Sequence, residues 1–230
     1  MRKTIFLTLL VTLPFITCMG RPSSIPVGTW EYDLYVNGVK SGKSVTAVKL
    51  ENGLYTTETS MQMNAGIMTN TSMNRITETV DFKPVRLENV NSIIQGDKAR
   101  KIEITALFEG NAVTVKTGSS SVSVKLPGPC VLDGTYFISE LIRKGFRKGT
   151  GVSARIYEPA IELEDLITVN VRVNGIKRVK VGREKKRLYH VSYIIQDMKN
   201  IECYINKNGI TELATITMLN NRMDLVLRNK

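Results

Sequence analysis

With 230 residues, 42% of them hydrophobic, the chain is long enough for a sizeable core, and 32 basic against 21 acidic residues leave it at +11. That balance favours anionic surfaces such as lipid headgroups, lipopolysaccharide phosphates or acidic glycans, or else a merely solvated basic face. No stretch beyond the first twenty residues has the length of a membrane-spanning helix, and scattered cysteines without a C-x-x-C pair exclude a structural zinc site.

The N-terminus reads as a bacterial secretory signal over 1–20. Arg2 and Lys3 precede an apolar run from Ile5 to Leu13, followed by Pro14 and Phe15-Ile16-Thr17-Cys18-Met19-Gly20. Two cuts fit. A lipoprotein signal peptidase cuts before Cys18, whose thiol then carries a diacylglycerol; ordinary signal peptidase uses the small residues of Cys18-Met19-Gly20. Losing Arg2 and Lys3 lowers +11 to +9. Residues 21–27, with Pro22 and Pro26, read as an extended tether. The expected location is the periplasm or the outer-membrane-attached cell envelope, which excludes cytosolic substrates and nucleic acid as natural partners.

From residue 28 the pattern is period two. Strands are predicted near 28–37, 41–51, 54–64, 67–81, 84–94, 99–109, 111–117 and 120–126, then near 151–158, 166–174, 177–182, 186–196, 199–206, 210–219 and 222–228. Asn-Gly occurs four times, at 37–38, 52–53, 174–175 and 208–209, each read as a hairpin turn because Asn-Gly accepts positive φ. Met61, Met63, Met68 and Met73 crowd the third and fourth strands, with Met61 and Met63 on one face. Thioethers there fit ordinary core filling, an adaptable apolar lining, or Cu(I) ligation. Between the two sets of strands, Leu126-Pro127 begins a rigid crossing, and a helix follows from Gly134 to Lys144. Asp133 is its expected cap, Phe137, Ile138, Leu141 and Ile142 its apolar stripe, and Gly145 its exit.

In the second half, Glu158, Glu162, Glu164 and Asp165 share a loop, read as solvating charge rather than an acid–base pair. The basic stretch Lys177, Arg178, Lys180, Arg183, Lys185, Lys186 and Arg187 reads either as edge protection or as contacts to an anionic surface. His190, the one histidine, reads as a strand-surface or edge imidazole, since no G-x-S-x-G turn accompanies it. Cys130 and Cys203 admit either a disulfide or buried free thiols.

The layout resembles the bacterial envelope family of domain of unknown function 3108. The residues that carry the likeness are the opening strand pair Tyr32 to Gly42, the Leu126-Pro127 crossing, the helix from Asp133 to Lys144, the turn Arg147-Lys148-Gly149 and the step Tyr157-Glu158-Pro159. The last strands depart from it, with Ile210-Thr211-Glu212-Leu213 in place of a proline-led strand. The resemblance implies a fold like the unclosed β-barrels of outer-membrane lipoprotein carriers, whose curved sheet and enclosed helix shelter acyl chains.

The expectation is a mainly β protein: one β-rich domain over 28–228, in two halves joined near 127–150, built as a curved antiparallel sheet or incomplete barrel with one helix. Its expected role is non-enzymatic, binding lipid or another amphiphilic envelope component without cofactor or metal. Candidate lining residues are Met61, Met63, Met68, Phe137 and Leu141. The alternatives are an assembly factor binding another envelope protein, and a glycan- or peptide-directed hydrolase.

Overall fold

The computed structural model describes residues 25–196, 199–218 and 221–228. Antiparallel strands follow one another as β1 (Gly28–Val36), β2 (Val39–Glu51), β3 (Leu54–Ala65), β4 (Met68–Thr79), β5 (Pro84–Gln95), β6 (Lys98–Glu109), β7 (Ala112–Thr117) and β8 (Ser120–Lys125). The helix α1 (Thr135–Arg143) interrupts them. Then come β9 (Gly151–Ile156), β10 (Ile167–Val181), β11 (Glu184–Ile195), β12 (Lys199–Ile205), β13 (Thr211–Met218) and β14 (Asn221–Leu227).

All belong to one 14-stranded sheet whose order runs β8 to β1, then β14 back to β9. The two meanders are thus joined where the first strand meets the last, with Tyr32 opposite Leu227 and Val36 opposite Met223. The barrel stays open between β8 and β9. The crossing segment runs along β9 there: Val131 bridges Ile156, its N–H donating to the Arg155 carbonyl at 3.0 Å. Among the described residues no helix is long and apolar enough to cross a membrane.

Fourteen strands replace the fifteen predicted, because 166–174 and 177–182 are one strand. Asn174-Gly175 does not turn the chain. Gly175 sits at φ +117°, Asn174 Nδ2 donates to Ser192 Oγ, and the register slips there while pairing continues to Val181 opposite Glu184. This is a bulge, and the reversal falls at Gly182-Arg183 instead. At 37–38 and 52–53 the expected geometry holds, with positive φ at both residues.

Alternation decides what faces inward. Phe137 and Leu141 of α1 pack with Val169, Val171, Val173 and Val191 of the second meander. Ile76, Leu87, Ala106 and Val113 of the first meander are covered by Leu126, Leu132, Tyr157 and Leu166 of the connecting segments. Tyr136 joins the first of these to a third cluster of Ile25, Val48, Tyr55 and Phe82, meeting both Phe82 and Phe137 edge-on.

The helix ends as its sequence suggests. Gly145 (φ +69°) donates to the Ile142 carbonyl and Phe146 N–H to that of Leu141, the paired bonds of a Schellman motif. Its start differs. Gly134 is the cap and makes no side-chain bond, while Asp133 Oδ1 accepts the Thr135 N–H at 2.6 Å from one residue further out. Gly209 lies against the helix at φ +82°, a backbone that favours glycine, and a Cβ there would also press on Ile142 Cδ1 at 2.8 Å.

Candidate functional site

Between the N-terminal turn of α1 and the inner face of the sheet lies a cavity of about 380 Å³. One wall is Trp30, Thr46, Val48, Thr57 and Thr59 from β1 to β3; the facing wall is Val169, Tyr193, Ile195, Ile201 and Cys203 from β10 to β12. Phe137 and Ile138 form the helix side, and the turn before β13 contributes Gly209 and Ile210. These strands meet across a hollow only because the sheet curls. The lining is mainly apolar, and within it the hydroxyls of Thr46 and Thr59 pair with each other at 3.1 Å.

Polar groups converge at one end. Asp133 and Thr135 line the cavity, and behind them Glu78 is buried on the inner face of β4. Leu132 N–H donates to Glu78 Oε1 at 2.9 Å. The Thr135 hydroxyl lies between the two carboxyls: it donates its one proton to Asp133 Oδ1, and its side chain also hydrogen-bonds Glu78. Burial first, and the Asp133 charge second, push Glu78 up from 4.5 to about 8. Burial pushes Asp133 up as well, against the hydrogen bonds from Thr135 that favour its charged form. On the facing wall burial holds the Tyr193 phenol well above its ordinary value.

Of the lining candidates read from sequence, Phe137 lines this cavity. Leu141 lies one turn further on and is fully buried in the core beneath the helix. Met61 and Met63 share the face of Thr57 and Thr59, but lie beyond the cavity, half-buried, opposite Ser44 and Gly42. Met68, opposite Ala65 near the next hairpin, is also half-buried and outside it. Cys18 lies outside the described residues. Lys177, Arg178, Lys180, Arg183, Lys185 and Arg187 are exposed on the β10–β11 hairpin; Lys186 is half-buried and pairs with Glu212 at 2.9 Å and Glu184 at 3.4 Å.

His190 is not a surface imidazole. It is buried on the outer face, stacks on Tyr204 at 5.1 Å, and its Nε2 meets the Glu202 carboxylate. Ser192 Oγ donates to the same carboxylate at 3.0 Å. Glu202 therefore sits between histidine and serine, whereas an activated serine needs the imidazole on its own hydroxyl. Sequence reasoning missed this cluster because Glu202 is on a neighbouring strand. Cys130 and Cys203 are free and belong to different packing clusters; burial pushes their thiols up to about 11 and about 12. Among the described residues no histidine, cysteine and carboxylate group could hold a metal ion.

No family model matches the chain, and no curated protein does. Among solved structures, the chain is similar to a β-barrel-like protein of domain of unknown function DUF1849 from Brucella abortus. The TM-score is 0.66 and the identity 16%, over 90% of this chain and 98% of that one. A DUF1089 family protein from Pseudomonas aeruginosa aligns over 81% of this chain and 89% of its own at 14% identity, with a TM-score of 0.36. The first likeness shows the fold: an unclosed, β-barrel-like sheet with a helix inside.

Proposed function

We propose that this protein is a non-enzymatic binder of a hydrophobic or amphiphilic component of the bacterial cell envelope, such as a lipid, and that the cavity beside α1 holds the apolar part of that ligand. The observation that carries the reading is the cavity itself. Its volume of about 380 Å³ falls within the range typical of small-molecule sites, and it has the usual form of an apolar lining with a few convergent polar groups. Asp133 and Thr135 at one end give a ligand headgroup hydrogen-bonding partners, and the mainly apolar lining accommodates a chain. The likeness to the family of domain of unknown function 3108 is part of this reading and rests on the short motifs alone.

An environment-sensitive fluorescent fatty acid tests it. The wild type is expected to take up the probe saturably, and Thr59→Phe, which fills the hollow, to reduce uptake at least about tenfold, equivalent to roughly 1.4 kcal/mol. The double variant Met61→Gln, Met63→Gln should bind like the wild type, since neither residue lines the cavity. The reverse pattern would move the binding surface to the far end of the inner face. No uptake by the wild type would favour a second reading, in which β8 recruits another envelope protein: it is a sheet edge, and its Val122 is 43% exposed.

The envelope location rests on the signal-like N-terminus and on acylation of Cys18, which supplies a membrane anchor. Metabolic labelling with a palmitate analogue should tag the wild type and not Cys18→Ser. Label retained by the variant would remove the anchor from the proposal.

A further inference from the structure

The basic stretch is divided by the structure into two faces of unequal character. β9 pairs with β10 only over Ile167–Arg172, and β12 with β11 only over Tyr189–Ile195. Beyond those limits the β10–β11 hairpin runs on as a two-stranded ribbon to its turn at Gly182-Arg183. Residues directly opposite across the ribbon share a face, and so do every second residues along each strand. One face therefore carries Lys177 opposite Leu188, Val179 opposite Lys186 and Val181 opposite Glu184. Val181 and Leu188 are buried, and Lys186 is bridged to Glu184 and Glu212.

The other face carries Arg178 opposite Arg187 and Lys180 opposite Lys185, with Ile176 opposite Tyr189 below them. All four cations are exposed, and none is bridged to a carboxylate among the described residues. The acid in this stretch, Glu184, serves the opposite face. Like charges placed directly across a strand pair destabilise it, and here two such pairs are stacked. An external anion would relieve that repulsion. Beside them Ile176 is 54% exposed.

We propose that this face, Arg178, Lys180, Lys185 and Arg187, docks the protein on an anionic lipid bilayer, with Ile176 entering the headgroup layer. A bilayer fits better than a folded partner. A hollow of about 280 Å³ lined by Ile176, Arg187, Tyr189 and Glu212 touches this face, but Arg178, Lys180 and Lys185 lie outside it, and long flexible cations on a ribbon suit a fluid array of phosphates. The inference stands apart from the cavity: its failure would leave ligand uptake untouched.

Co-sedimentation of the full chain with vesicles of phosphatidylcholine, with and without phosphatidylglycerol, tests the proposal. An acyl anchor acts alike on both vesicle types, so the difference between them reads the charged face. Each cation near an anionic surface contributes roughly fivefold, so replacing all four by glutamine should weaken partitioning onto the anionic vesicles on the order of a hundredfold or more. Lys180→Gln, Lys185→Gln alone should give an intermediate loss, and added salt should shrink the wild-type advantage. The control removes the same charge elsewhere, as Lys98→Gln, Arg100→Gln, Lys116→Gln and Lys125→Gln, and should lose far less. Equal losses in the two sets would reduce the effect to net charge and overturn the docking face. So would a wild type that adsorbs equally to both vesicle types, or one that is retained by soluble heparin yet ignores the anionic vesicles.

Discussion

Leu141→Asp is expected to abolish cooperative unfolding at room temperature. Leu141 is 0% exposed, and it packs with Phe137 and Phe146 against the valines of β10 and β11. Cutting such a side chain back to alanine removes about 2–5 kcal/mol, because apolar transfer energy is lost and a cavity remains. Aspartate adds an unpaired carboxylate in the same apolar site, several kcal/mol more unless the group is neutralised or the helix swings away. Together these approach the whole stability of a typical domain, about 5–15 kcal/mol. Leu141→Ala should therefore melt cooperatively at a lower temperature, and Leu141→Asp should show no transition. Wild-type melting of the aspartate variant would mean that α1 does not plug the sheet.

The second large effect is a pH dependence centred on Glu78. Its folded pKa is raised from 4.5 to about 8, so between those values the native state keeps a proton that the unfolded chain releases. Stability falls wherever the unfolded state binds fewer protons. The contribution is complete below about 4.5, declines as pH rises, and is gone above about 8. Asp133 shifts in the same direction, and the groups facing Glu78 are Asp133, the Thr135 hydroxyl, the Leu132 N–H and the Cys130 thiol. Glu78→Gln mimics the neutral acid: its carbonyl can accept from Leu132 and its amide can donate to Thr135. Denaturant midpoints at about pH 5 and about pH 9 should show variant and wild type nearly equal at the lower value, and the variant more stable at the higher by an amount on the order of a few kcal/mol. Parallel profiles for the two proteins would show that Glu78 is ionised in the folded state across the range.

Much of the meander was legible in the sequence, since strict alternation such as Val169, Val171 and Val173 names both the strand and its buried face. The helix was legible for a similar reason, through the spacing of Phe137 and Leu141. The bulge at Asn174-Gly175 was not, because the same dipeptide closes a true hairpin at Asn37-Gly38; the choice depends on Ser192 across the ribbon. Nor was the cavity, whose walls are drawn from strands more than a hundred residues apart in the chain. The methionine cluster drew the eye by composition, whereas the hollow is made by ordinary threonines and isoleucines that curvature brings together. Glu78 left one trace: it lies two residues from Ile76 on an inward face, where a carboxylate is out of place.

The junction of β1 with β14 has a consequence for how the chain must assemble. Every other neighbour in the sheet is also a neighbour in sequence, so each arm can zip up from local hairpins. Tyr32 and Leu227, by contrast, meet only after both meanders between them have been delivered, and long-range pairings of this kind slow folding. Until then β1 and β13 each present a bare row of amides and carbonyls beside an apolar face, the kind of edge that recruits other chains. A copy truncated before Asn221 would keep both edges permanently, which makes the last seven residues of the sheet the guard against self-association.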